Sequence, residues 1–315
     1  MQEPETTEQL RTNSSDAGDH DMAASLAIRP AVAVSPLLRV GPAQVEPEPC
    51  PTCGTMAVPG SAAYVYAIGR IEARFPRPSV EKEFVQATGR AETAGRTDQQ
   101  AFHDVLSKRE NRYLARQLCW VFSVQGLETY ILAPRDPADL DLLIEAIQPS
   151  SVPWVTTVIG MRGPVAPPEL CNGLMVPIVM FDQLYTFTHD AIVNAIPRPE
   201  KITAEDFQPA ARELFDRIMQ LTDNLGATDE HRALNYLGMR YPAIYATAAE
   251  QFARDFSLTG VETRPSPLSG TRNIVDVIFS FTNRNTDFTE KFFVRVDVTE
   301  EFPFLVTKLS PYYDR

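Results

Sequence analysis

An α+β fold follows from three features of the sequence. Apolar residues recur at helical spacing between positions 203 and 256 and alternate with a period of two between 275 and 298; from 64 to 187, short strand-like and helix-like runs follow one another. The expected architecture is a set of mixed short strands and helices, then a helical hairpin, then a C-terminal antiparallel meander.

Residues 1–60 read as a disordered N-terminal arm ending in a Cys50-Pro-Thr-Cys53 turn, and residues 61–315 as the α+β domain. Pro42, Pro47, Pro49, Pro51 and Pro59 interrupt any regular element in the arm. Order begins with a strand over 64–75, closed by Pro-Arg-Pro. Ser79 then caps a short helix that ends at Gly89, with Glu81 and Glu83 in its first turn opposing the free N–H groups. A second helix is expected over 97–118. Trp120 to Val124 and Leu127 to Leu132 form two strands joined at Gln125-Gly126. Asp136-Pro137 opens a helix carrying Leu140, Leu143, Ile144 and Ile147, and strands follow over 154–159 and 174–187.

The hairpin helices come next. Phe207, Ala211, Leu214, Ile218, Leu221 and Leu225 mark the first, stopped by Gly226; the second runs over 228–256 and is kinked or split at Pro242. Val275, Val277, Phe279 and Phe281 then alternate with polar neighbours, as do Phe292, Val294, Val296 and Val298 beyond a turn at 283–287, and 304–309 adds a third strand.

Charge narrows the function classes. The chain has 41 acidic against 29 basic residues, a net charge of −12, which disfavours a nucleic-acid backbone or an anionic membrane surface as partner. A basic peptide or basic protein surface remains compatible with that field. The acidic N-terminus does not resemble a signal peptide, no run is long enough to span a bilayer, and four irregularly spaced cysteines are not a secreted scaffold; the expectation is a reducing cytoplasm.

The Cys50-Pro-Thr-Cys53 turn presents two thiols as a zinc site requires, to be completed by Cys171 and by Cys119 or a histidine. Two thiols in an arm, or a labile disulfide, is the alternative, and Cys119 sits in an apolar run where cysteine packs as a small hydrophobe. A thioredoxin-type role needs a strand before and a helix after the pair, and Pro and Gly flank it instead. Arg109, Arg112 and Arg116 share a face of the expected second helix and suit a carboxylate or phosphate, or the protein's own acids. The Pro- and Gly-rich loop 162–173, with Arg162 and Asn172, reads as a docking surface together with the aromatic terminus 310–315. His103, His189 and His231 each sit beside an acid on a helix, with no nucleophile elbow; His20 falls in the arm. No catalytic residue is assigned.

Three strings, Tyr64-Val-Tyr-Ala-Ile-Gly-Arg-Ile-Glu-Ala-Arg-Phe75, Tyr130-Ile-Leu-Ala-Pro-Arg-Asp136 and Cys171-Asn-Gly-Leu-Met-Val-Pro177, resemble the PatG C-terminal family, a domain of cyanobactin maturation also found at the end of PatA. The likeness spans about 60–315 and does not include a subtilisin-like catalytic domain. The resemblance implies a free-standing, non-enzymatic accessory binding or scaffold domain in the maturation of ribosomally made peptides. Its implied partners are a peptide or a peptide-modifying enzyme. The alternative function is a zinc-dependent, hydrolase-like enzyme. The edge of the last sheet needs cover, and a homodimer through that sheet or the helical hairpin would supply it.

Overall fold

The computed structural model describes residues 64–89, 97–151, 154–196, 198, 203–220 and 223–313; the expected arm, with Cys50 and Cys53, and Leu221 lie outside the described residues. The fold is mixed α+β with two sheets, the second a C-terminal antiparallel one.

The first sheet is a closed barrel. Its strands are β1 (Tyr64–Arg74), β2 (Cys119–Val124), β3 (Leu127–Pro134), β4 (Trp154–Val165) and β5 (Pro177–Thr188). They run in the order β1-β2-β3-β5-β4, with β4 returning to β1, β3 parallel to β5 and the other pairs antiparallel. With a helix between β3 and β4, this is the connectivity of the five-stranded Greek-key barrel called the OB-fold. Gln125 and Gly126 turn β2 into β3 with φ of 52° and 82°, the geometry a tight hairpin of primed type needs. Alternation sorts the two strands: Trp120, Phe122, Tyr130 and Leu132 enter the barrel core, while Val121 and Ile131 face outward.

The long β1–β2 connection holds α1 (Pro78–Thr88), α2 (Asp98–Leu106) and α3 (Arg112–Ala115), and α4 (Leu140–Ala146) follows β3; their apolar residues join the barrel core. Two expectations are corrected here. Arg77 occupies the cap position of α1 without a side-chain bond and Pro78 opens the helix, so Ser79 is not the cap; proline costs nothing where the N–H is unpaired anyway. The single helix expected over 97–118 is broken between α2 and α3 by a 3₁₀ turn, Arg109–Asn111. Buried Asn111 donates from Nδ2 to the Val105 carbonyl at 3.0 Å, folding the chain back against α2.

The second layer begins with α5 (His189–Ala195), α6 (Ala204–Met219), α7 (Asp229–Arg240) and α8 (Ala243–Phe252). The helix expected over 228–256 is split at Tyr241-Pro242, and α6 packs along α8 as the hairpin expectation requires. The helices cover one face of a sheet of β6 (Phe256–Pro265), β7 (Ile274–Asn283), β8 (Thr289–Asp297), β9 (Phe304–Leu305) and β10 (Ser310–Tyr312), ordered β10-β8-β7-β6 with β9 also on β8. Strand β6 replaces the end of the expected helix and the loop after it. Beyond α8, Asp255 takes a φ of 63°, and the chain then pairs with β7 along its whole length. The expected third strand over 304–309 is present only as β9 at 304–305; β10 follows at 310–312, and both pair with the edge of β8 that β7 leaves free. Among the described residues no helix is long and apolar enough to cross a membrane.

Candidate binding site on the outer face of the barrel

The outer face of β2 and β3 is where barrels of this connectivity carry ligands, flanked by the β1–β2 and β4–β5 connections. Both connections reach that face here. Trp120 donates its indole N–H to the Ala115 carbonyl at 3.1 Å, fixing the end of α3 against β2. From the other side comes the β4–β5 connection, residues 166–176, which turns back on itself through bonds from Ala166 N to Val176 O (2.9 Å) and from Gly173 N to Pro168 O (2.7 Å). Asn172 and Gly173 take φ of 48° and 92° to make this turn.

This strap lies over the barrel. Ala166, Leu174 and Val176 pack with Val121, Ile131 and Ile178 in a small apolar cluster, and Val121 is wholly buried by it. The cluster also contains Cys119 and Cys171, whose sulfurs are bonded to each other with Cα atoms 5.5 Å apart.

Between the end of α3, β3 and the strap opens a pocket of about 760 Å³, a size suited to a small ligand or a short peptide segment. Its walls are apolar: Leu118, Ile131, Pro134, Leu140, Leu170 and Ile178. Arg116 stands on its rim, exposed, and among the described residues its guanidinium has no ion pair. An apolar cleft ending in one unpaired fork of donors suits a molecule with an apolar body and a carboxylate. A second cavity of about 660 Å³ lies by Asn172 and the clustered rings of Phe75, Phe84 and Phe102, which meet edge-on or tilted. Its lining residues Gly89 and Asp98 flank the 90–96 segment outside the described residues, so the functional reading rests on the first pocket.

The other candidate residues separate. The break between α2 and α3 takes Arg109 off the face it was expected to share with Arg112 and Arg116: Arg109 is exposed on the 3₁₀ turn, Arg112 pairs with Asp141 on α4, and Arg116 alone lines the pocket. Arg162 is exposed on β4 and Asn172 borders the second cavity. Loop 162–173, expected to be a docking surface, is in part strand and in part the strap that covers Val121 and Ile131. In the disulfide neither Cys119 nor Cys171 is a thiolate, so in this state neither can ligate a metal. Among the described residues no three His, Cys, Asp or Glu side chains come close enough to hold a metal. His103 Nε2 lies 3.4 Å from Ser107 Oγ on the exposed end of α2; burial lowers the His231 pKa; and the His189 side chain lies outside the described residues.

One carboxyl is strongly shifted. Glu301 is pushed up to about 7, first by burial and then by its bond to and charge repulsion from Asp182, with Arg135 and Arg232 opposing. It lines none of the cavities described above, and its place is at the junction of the barrel with the second layer.

Comparison with known proteins bears on the second layer and on the fold. Residues 201–312 match the family model described as PatG C-terminal, which covers the segment from α6 to β10. The strings at 64–75, 130–136 and 171–177 lie outside that match, in the barrel and its strap. A solved structure described as "PatG Domain of Unknown Function" shares the fold, with a TM-score of 0.64 and 21% identity over 80% of this chain and 99% of that one. No curated protein matches the chain.

Proposed function

We propose that this chain, whose residues 201–312 match the PatG C-terminal family model, is a non-enzymatic accessory binding module in the maturation of ribosomally made peptides, and that it holds a peptide by the outer face of its barrel. The observation that carries this reading is the pocket of about 760 Å³ with apolar walls and the unpaired Arg116 at its rim. The fitting ligand is a peptide end with one or two apolar side chains and a free carboxylate. Burying one such side chain contributes about 1.5–3 kcal/mol, and a charge-assisted bond to Arg116 adds direction. The net charge of −12 favours a peptide that is otherwise neutral or basic and disfavours the oligonucleotides that other barrels of this kind bind. Fold alone does not decide the ligand.

The test is a titration of isotope-labelled protein with such a peptide, followed by amide chemical shifts. The reading expects saturable shifts confined to residues 115–119, 131–140, 170 and 178. Shifts confined to residues 201–312, or none at millimolar peptide, would overturn it.

Two further proposals concern assembly. Pairing of two copies is favoured by the exposed aromatics Phe302, Phe304 and Tyr313 beside the last sheet, and light scattering at tens of micromolar tests it. A zinc-bound form of the reduced chain is the second proposal, and elemental analysis of reduced protein tests it.

A further inference from the structure

We infer that the Cys119–Cys171 disulfide is a redox control on the pocket: oxidised, it holds the wall that a ligand needs, and reduced, it releases that wall. The inference rests on the binding reading above for its consequence, though not for the switch itself.

Few ties hold the strap down on β2 and β3. Among the described residues no hydrogen bond joins residues 166–176 to β2 or β3; the strap's backbone bonds run within itself. Its remaining ties are small apolar contacts from Ala166, Leu174 and Val176, and the one covalent bond to the first residue of β2. Cys119 lines the pocket, and so does Leu170, the residue just before Cys171. The bond therefore sits in the wall of the site it stabilises. A disulfide that closes 52 residues of sequence restrains the separation of two segments that little else joins. A bond whose loss frees one surface segment, leaving the barrel ladders intact, fits a redox-sensing use.

The chemistry balances with a dithiol reductant of the thioredoxin class. One reductant thiolate attacks Sγ of Cys119 or Cys171 to give a mixed disulfide and free the other cysteine as thiolate. The second reductant thiol displaces the first cysteine. Two electrons and two protons pass to the protein, and the reductant leaves as its own disulfide. Both cysteines are only 3% exposed, and Cys119 borders the pocket, so a bound ligand shields the bond. Occupancy and oxidation then support each other, as linkage requires.

The experiment compares the oxidised full-length chain, the same chain reduced with dithiothreitol, and the Cys119→Ser/Cys171→Ser variant. Hydrogen exchange is read at residues 166–176, with residues 274–297 as internal reference. The expected result is amide exchange in the strap about tenfold faster or more in both disulfide-free forms, with the reference unchanged. Peptide affinity should fall about tenfold on reduction, and saturating peptide should slow reduction of the bond. Strap exchange that is unchanged on reduction overturns the inference, whatever the peptide does. A strap that loosens while no peptide binds either form sustains the switch and removes the binding reading instead. Should the double variant fold poorly, the reduced wild-type chain decides.

Discussion

Tyr66 donates its backbone N–H to the carbonyl of Gly226 at 2.9 Å, tying the barrel strand β1 to the loop before α7. Gly226 has a φ of 72°, and a Cβ there would meet the Tyr66 carbonyl oxygen at 2.3 Å and the Ala67 Cα at 2.6 Å. Neither backbone atom can yield as a flexible side chain would. Asn235 reinforces the junction by donating from Nδ2 to the Tyr66 carbonyl at 2.8 Å.

Gly226→Ala should therefore cost about 2–4 kcal/mol, from the left-handed backbone and from the clash together. Urea unfolding measures it. A loss below about 1 kcal/mol would mean that this contact does not hold the two layers together.

Arg232 is the second tie. It is 3% exposed and donates to the carbonyls of Val298 at 2.7 Å, Glu300, and Glu301 at 3.3 Å, and to Asp229 Oδ1 at 3.2 Å. It also stacks over the Tyr64 ring at 5.2 Å. Arg232→Ala strands buried acceptors and is expected to cost about 3–5 kcal/mol. Arg232→Lys should recover only part, because an ammonium cannot fork to three carbonyls. Equal stability of the Lys variant and the wild type in thermal unfolding would contradict this.

The Glu301 carboxyl, raised to about 7, gives a pH signature. Between its ordinary value of 4.5 and 7 the folded chain keeps a proton that the unfolded chain has released. Stability is accordingly greatest at the acid end of this window and falls as pH rises through 7. Glu301 is partly exposed, so the loss should be about 1–2 kcal/mol after screening. Glu301→Gln keeps a neutral donor facing Asp182 and should flatten the melting temperature between pH 5 and 8. A variant with the wild-type slope would place the titrating group elsewhere.

These ties explain how much of the molecule could be read along the chain. Strand propensity and a proline stop were enough for β1, and alternation was enough for β7 and β8. Gly226 was expected to stop the first hairpin helix, but α6 already ends at Met219, and the close approach of Gly226 to Tyr66 depends on a partner about 160 residues away. Strand β6 was hidden because its burial does not alternate and a register shift lies between Leu258 and Gly260. Barrel closure depends on the parallel β3–β5 pairing and on β1 meeting β4, long-range choices that no local pattern carries. At the site, the basic run pointed to Arg116, while the face it was to share with Arg109 and Arg112 disappears once Asn111 breaks the helix. Cys119 and Cys171 show no framework spacing, so their bond emerges only when the strap crosses β2.

The central claim is that Arg116 and the apolar walls beside it hold a peptide carboxylate, and calorimetric titration with a matched pair of peptides tests it most directly. One ends in an apolar residue with a free carboxylate, and the other carries the same sequence as the amide. The account predicts one-to-one binding of the acid, a loss of about tenfold or more on amidation, and a similar loss for the acid on Arg116→Ala. Equal affinity for acid and amide, or an Arg116→Ala variant that binds the acid as well as wild type, would contradict it.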